Sequence, residues 1–158
     1  MENVRIKDYM RFFTKEWWSD GCDGGAAVAL AYSNHFASIK NNLPLTLIEF
    51  AERYELHDAE ICSIVNDETA ELLKISVHGW DQNFIQRMDY CLEFSGVTKF
   101  CMSLEHAPIS VHSDLGEIGY WECHLESPRL KICVLFNCGA ELSVGFADFK
   151  FSADPIGA

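Results

Sequence analysis

The stretch Thr46-Leu47-Ile48-Glu49-Phe50-Ala51-Glu52-Arg53-Tyr54-Glu55-Leu56-His57-Asp58-Ala59-Glu60-Ile61-Cys62-Ser63-Ile64-Val65 changes its hydrophobic period halfway along. Leu47, Phe50, Ala51 and Tyr54 recur at i, i+3, i+4 and i+7, a single apolar stripe on a helix. Thr46 and Glu49 have the spacing of a capping box at its start. Beyond Leu56-His57-Asp58 the period drops to two, with Ile61, Ser63 and Val65 on one side of an extended chain. The fold divides here: residues 1–56 are predicted to be mainly helical and residues 57–152 mainly antiparallel β.

On the N-terminal side, Thr14 is placed to cap a short helix through Glu16, Trp17 and Trp18, with the acid in its first turn. Gly21-Cys22-Asp23-Gly24-Gly25 ends it. An alanine-rich helix, expected to be largely buried, then runs from about Ala26 to Ile39 and stops before Asn41-Asn42-Leu43-Pro44. On the C-terminal side, Asn66-Asp67-Glu68 turns the chain into a strand carrying Leu73, Ile75 and Val77. Residues 84–94 alternate, with Phe84, Met88, Tyr90, Leu92 and Phe94 on one face. Phe100, Met102 and Leu104 mark another strand, and a looser stretch covers 105–119. Further strands are read at about 120–126, 130–136 and 141–151. In the last, Leu142, Val144 and Phe146 share a parity that Phe149 and Phe151 break, which implies a bulge or bend. Strands joined by such short turns must be antiparallel. The expected architecture is one α+β domain over 1–158, its N-terminal helices packed on one face of a curved antiparallel sheet of about six or seven strands.

Length and composition agree with a folded domain. A chain of 158 residues, 49% hydrophobic and 13% aromatic, has the material to bury roughly 70% of its unfolded surface. Twenty-four Asp and Glu oppose twelve Lys and Arg, a formal charge of -12. That field repels nucleic acid and anionic membranes and attracts basic proteins. From Asp89 onward only Lys99, Arg129, Lys131 and Lys150 face ten carboxylates. The seven cysteines contain no C-x-x-C, and Cys62, Cys91, Cys101 and Cys133 fall at apolar, strand-like positions. With no apolar leader segment and no run long enough to span a bilayer, a reducing cytoplasmic location is expected.

Ligand-type side chains occur without a recognised spacing. His57-Asp58 pairs an imidazole with a carboxylate, but a helix stop and turn explains it, because strand neighbours point apart. His106, His112, Asp114, Glu122, Cys123 and His124 are metal-ligand types in no zinc-like arrangement. Glu122 and His124 are expected together on a solvent face opposite Trp121, Cys123 and Leu125. The Gly21–Gly25 loop lacks the strand and lysine of a phosphate cradle. Trp80, in His78-Gly79-Trp80-Asp81, is expected in a loop beside acids, where packing against the helical layer is the first reading and a partly exposed contact anchor the second. No catalytic residue, metal or cofactor is assigned.

Phe13-Thr14-Lys15-Glu16-Trp17, the helix introduced by Leu43-Pro44, and Leu56-His57-Asp58-Ala59-Glu60-Ile61 together resemble a bacterial domain family of unassigned function. Its members open with F-T-K-E-W and carry an internal L-H-D at the entrance to a β region. The resemblance covers about the first 65 residues, and small acidic α+β proteins of this type are similar to immunity proteins of bacterial toxin systems. The resemblance implies a protein that binds a basic toxin domain, such as a nuclease, and occludes its active site. Trp80, Glu105, Asp114, Glu117, Glu122 and Glu126 are the expected partner contacts. The competing readings are a metal-dependent enzyme using His57, Asp58 or the His112–His124 region, and a module binding a small ligand on the Phe84–Phe94 face of the sheet.

Overall fold

The computed structural model describes residues 10–103, 116–126 and 128–157. Helices α1 (Lys15–Ser19), α2 (Gly25–Ile39) and α3 (Leu45–Arg53) come first. Strands β1 (Glu55–Asp67), β2 (Leu72–Trp80), β3 (Arg87–Ser95), β4 (Lys99–Ser103), β5 (Ile118–Glu126), β6 (Arg129–Phe136), β7 (Glu141–Phe146) and β8 (Asp148–Pro155) follow. The strands pair antiparallel in two four-stranded sheets, ordered β1-β2-β3-β8 and β4-β7-β6-β5. The α+β class and the antiparallel pairing match the sequence; the single sheet of six or seven strands is corrected to two sheets with eight strands among the described residues.

The parity break at the C-terminal end is where the sheets part. Leu142, Val144 and Phe146 lie on β7, which pairs with β4 and β6, whereas Phe149 and Phe151 lie on β8, which pairs with β3. Ala147 makes the corner, its N–H donating to the Ser95 carbonyl at 3.0 Å. What reads as a bulge within one strand is a strand changing sheets.

The inner faces meet in one core. Leu73, Val77, Tyr90 and Phe94 from the first sheet pack in the same buried cluster as Ile132, Val134, Val144 and Phe146 from the second. Phe94 and Phe146 contact across it with ring centroids 5.0 Å apart. The Phe84–Phe94 face is therefore core from Met88 onward, which rules it out as an open ligand surface. Phe84 itself is not on the strand: it sits in the β2–β3 turn at φ 56° and is 45% exposed. Asp81 holds that turn, its carboxylate accepting from the Ile85 and Gln86 N–H groups and its carbonyl from Phe84 N–H.

Helix α3 joins the sheets. Its Phe50 ring touches Tyr90, Phe149 and Phe151 of one sheet and Trp121 of the other, at centroid distances of 5.7, 5.8, 5.1 and 5.7 Å. The expected capping box does not form. The helix starts at Leu45 behind Pro44 with no side-chain cap; the Thr46 hydroxyl donates instead to the Phe149 carbonyl, and Glu49 pairs with Arg53 at 2.7 Å. Thr46 is the second residue of the helix rather than its N-cap, so its hydroxyl is not placed to accept from a first-turn N–H. Helix α2 is also corrected: only Ile39 of its residues is buried, and Leu30 is 62% exposed. Thr14 does cap α1, accepting from Trp17 N–H at 3.1 Å. All seven cysteines are free; Cys133 is buried as expected, but Cys62 is exposed and Cys91 and Cys101 are half-buried.

Because Phe50 fills space against both sheets, Phe50→Ala is expected to cost about 3–5 kcal/mol. The exposed Glu49→Ala on the same helix should stay within about 0.5 kcal/mol. Urea unfolding of the two variants checks the contrast.

Candidate functional site

The outer face of the second sheet carries the chemistry. The alternation of β5 puts Glu122 and His124 on one face, as the sequence indicates, but the solvent expected there is absent. Both side chains have 0% exposure. Residues 10–13 and helix α2 cover them.

The cover is held by the carboxylate it hides. Glu122 accepts from the backbone N–H groups of Arg11, Phe12 and Phe13 at 3.0 to 3.2 Å. Burial pushes its pKa up, but the His124 contact and the Arg11 and Phe12 N–H groups outweigh this and hold it below the ordinary carboxylate value. His124 Nε2 lies 3.3 Å from Glu122 Oε1, yet neither ring nitrogen makes a well-aligned hydrogen bond. Burial lowers the His124 pKa, opposed by Glu122 and aided by Arg11 and His35. The pair is thus a carboxylate beside a neutral imidazole at neutral pH.

Aromatic rings extend the cover sideways. Phe12 stacks over His124 at 6.3 Å, and His35 of α2 lies 4.9 Å from it. Helix α2 is pinned to β5 by the Cys123 backbone, whose N–H donates to the Tyr32 hydroxyl at 2.9 Å and whose carbonyl accepts from His35 at 3.1 Å. Tyr120 is the hub: Phe13 stacks on it at 4.9 Å, and Trp17 and Trp18 meet it edge-on at 5.4 and 5.3 Å. A five-residue helix such as α1 has little stability of its own, so these ring contacts, about 0.5–1.5 kcal/mol each, fix it. Gly119 permits the approach, since a Cβ there would lie 2.4 Å from the Trp18 ring.

Next to this layer opens a cleft of about 650 Å³. Its floor is Gly119, Tyr120 and Trp121 of β5. One wall is the Ala29, Tyr32, Ser33 and Phe36 face of α2, and the other is the end of α3, with Glu52 and Tyr54. Phe13, His57, Glu55 and the exposed Phe84 complete the rim. Among the described residues, the formally charged ones in the lining are both glutamates. Glu52 is bound by Lys40 at the surface. Glu55 accepts from His57 N–H at 3.0 Å and has no Lys or Arg partner among the described residues.

His57-Asp58 helps to shape this rim. Helix α3 ends at Arg53, so the pair is not a helix stop. It lies in β1 where the register against β2 shifts between Glu55 and Glu60, and Asp58 has φ 64°. The irregularity brings neighbours together that a regular strand would separate: His57 Nε2 is 3.4 Å from Asp58 Oδ1, while Nδ1 donates to the Gly119 carbonyl.

The expected partner contacts are dispersed. Glu105 and Asp114 lie outside the described residues, as do His106 and His112. Glu122 is enclosed. Glu126 pairs with Arg11 and Lys131 at 2.8 and 2.7 Å. Glu117 is exposed and bridges to Glu60. Trp80 ends β2 rather than lying in a loop, half-buried with the Arg87 guanidinium 5.0 Å over its ring, and it is the cross-strand neighbour of Glu55. Sequence reasoning missed Glu55, Tyr32 and Tyr120 because they come together only in three dimensions. Among the described residues, no three His, Cys, Asp or Glu converge as a metal-holding set, and no helix is long and apolar enough to cross a membrane. No protein-family model, curated protein or solved structure matches the chain.

Both His124 and Glu122 bind protons more weakly folded than unfolded, so acid favours the unfolded chain. The His124 contribution fades as pH falls below its unfolded value of 6.5 and that of Glu122 below 4.5. The melting temperature should therefore drop between about pH 7.5 and 5.5, with a shallower drop in His124→Phe. Glu122→Gln should cost about 2–3 kcal/mol at pH 7 by weakening the charge-assisted bonds. An unchanged pH slope in His124→Phe contradicts the assignment.

Proposed function

We propose that the chain is a cytoplasmic immunity-type protein that binds a basic bacterial toxin domain, a nuclease being the natural class, and occludes its active site. The observation that carries this reading is the open aromatic cleft, lined among the described residues by two carboxylates and no Lys or Arg, in a chain of net charge -12. Acidity steers a cationic partner toward the surface and raises the on-rate. Aromatic side chains at the rim then supply the area that holds it. The small acidic α+β type of the chain, which is similar to immunity proteins, supports the same class. The exposed Glu117 remains a candidate contact, and Trp80 borders the cleft acid Glu55.

Co-expression with toxins encoded directly upstream of the gene tests the reading. A cognate toxin should be neutralised and should co-purify with the chain, with an association rate that falls steeply as salt rises. Failure of every such toxin to be neutralised or bound removes it.

A further inference from the structure

The cleft contains more than an acidic surface needs. General solubility or long-range steering requires carboxylates in water, not a concavity of about 650 Å³ within the range of ligand pockets. Its walls present π faces and edges from Tyr32, Phe36, Tyr54, Tyr120 and the protruding Phe84, and the carboxylate at its rim, Glu55, is free of any cation among the described residues. The other acid of the lining, Glu52, is engaged by Lys40, as Glu49 on the same helix is by Arg53. The same chain twice lays a guanidinium on an aromatic ring, Arg53 over Tyr54 at 5.5 Å and Arg87 over Trp80 at 5.0 Å. A planar cation on a long apolar stem satisfies aromatic walls and a lone carboxylate together; ammonium, more strongly hydrated and not planar, satisfies them less well.

We propose that this cleft receives an arginine side chain of the partner, its guanidinium paired with Glu55 and its stem lying against the aromatic walls. The assignment rests on the reading of the partner as a basic protein. The sign of the lining supports it: among the described residues the Asp, Glu, Lys and Arg side chains that line the cleft are Glu52 and Glu55. Phe84, carried on the turn organised by Asp81, is positioned as the closing wall.

The test uses the full chain and the probes tri-arginine, tri-lysine and tri-citrulline amide, followed by tryptophan fluorescence and by amide chemical shifts. Tri-arginine should bind at least about fivefold tighter than tri-lysine, and tri-citrulline should not bind measurably. Shifts should map to the Tyr120–Trp121 and Phe84 segments. Glu55→Gln and Phe84→Ser should each weaken tri-arginine about tenfold, whereas Glu68→Gln, the same charge change at an exposed turn, should change it less than twofold. Equal affinity for tri-arginine and tri-lysine, or equal effects of Glu55→Gln and Glu68→Gln, overturns the proposal. Neutralisation of a toxin with undiminished affinity by Glu55→Gln overturns the cleft assignment and leaves the immunity reading standing. Arginine-selective binding at Glu55 with no toxin neutralised keeps the cleft and removes that reading.

Discussion

Glu122 is a carboxylate without exposed surface, and the outer half of the molecule is organised around its need for donors. Enclosing such a charge costs several kcal/mol unless hydrogen bonds replace water. Three successive backbone N–H groups, from Arg11, Phe12 and Phe13, do so. Bonds to a charged acceptor contribute about 1.5–3 kcal/mol each, so the set is of the size needed to offset burial. The geometry is also demanding. Three consecutive N–H groups converge on one carboxylate only if the backbone curls over it, and that curl sends Phe12 onto His124 and Phe13 onto Tyr120. The position of Phe13 at the cleft rim therefore follows from an acid that is not itself part of the cleft lining.

The two sheets differ accordingly. In β6, Lys131, Cys133 and Leu135 on the outer face are as buried as Ile132 and Val134 on the inner one, so the second sheet is a middle layer between the first sheet and the N-terminal cover. The first sheet keeps a wet outer face, with Lys74, His78 and Asp89 exposed along it in the ordinary alternation of a half-buried strand. Phe50 joins the layers at one end. The cleft lies where this layering is incomplete, between the Ala29, Tyr32, Ser33 and Phe36 face of α2 and the end of α3, over Gly119, Tyr120 and Trp121 of β5.

How much of this could be read from the residues follows from the range of the forces involved. The helix-to-strand change near Leu56 was legible because periodicity is local, and so were the strands carrying Leu73–Val77 and Met88–Phe94. The Thr14 cap was legible for the same reason. The parity break between Phe146 and Phe149 was visible but ambiguous, since a bulge and a change of sheet shift the alternation alike, and only the pairing partners of β7 and β8 separate them. The capping box at Thr46 failed because the helix starts at Leu45 behind Pro44, which leaves Thr46 inside it with its hydroxyl donating to the Phe149 carbonyl, 103 residues away. Glu122 and His124 were placed on the right face and in the wrong medium. The signal that could have corrected this is the unbroken apolar run Ile132-Cys133-Val134-Leu135-Phe136, which suits a strand covered on both sides; it required the neighbour β5 to be covered as well.

The same distinction between count and environment governs the acidity. A net charge of -12 suggests a diffuse negative surface, but the carboxylates are unequal. Glu122 is consumed by the backbone, Glu126 by Arg11 and Lys131, Glu52 by Lys40, and Glu49 by Arg53. An acid already compensated attracts little, because its field is cancelled at short range and screened at long range. Glu55 is different. It stands beside low-dielectric aromatic walls, where the interaction of a charge with an incoming cation is strongest. No feature of its sequence neighbourhood singles it out, since Tyr54-Glu55-Leu56 reads as the end of an amphipathic helix. What distinguishes it is that Lys40 and Arg53 engage the neighbouring Glu52 and Glu49, whereas Glu55, in the cleft lining, has no Lys or Arg partner among the described residues.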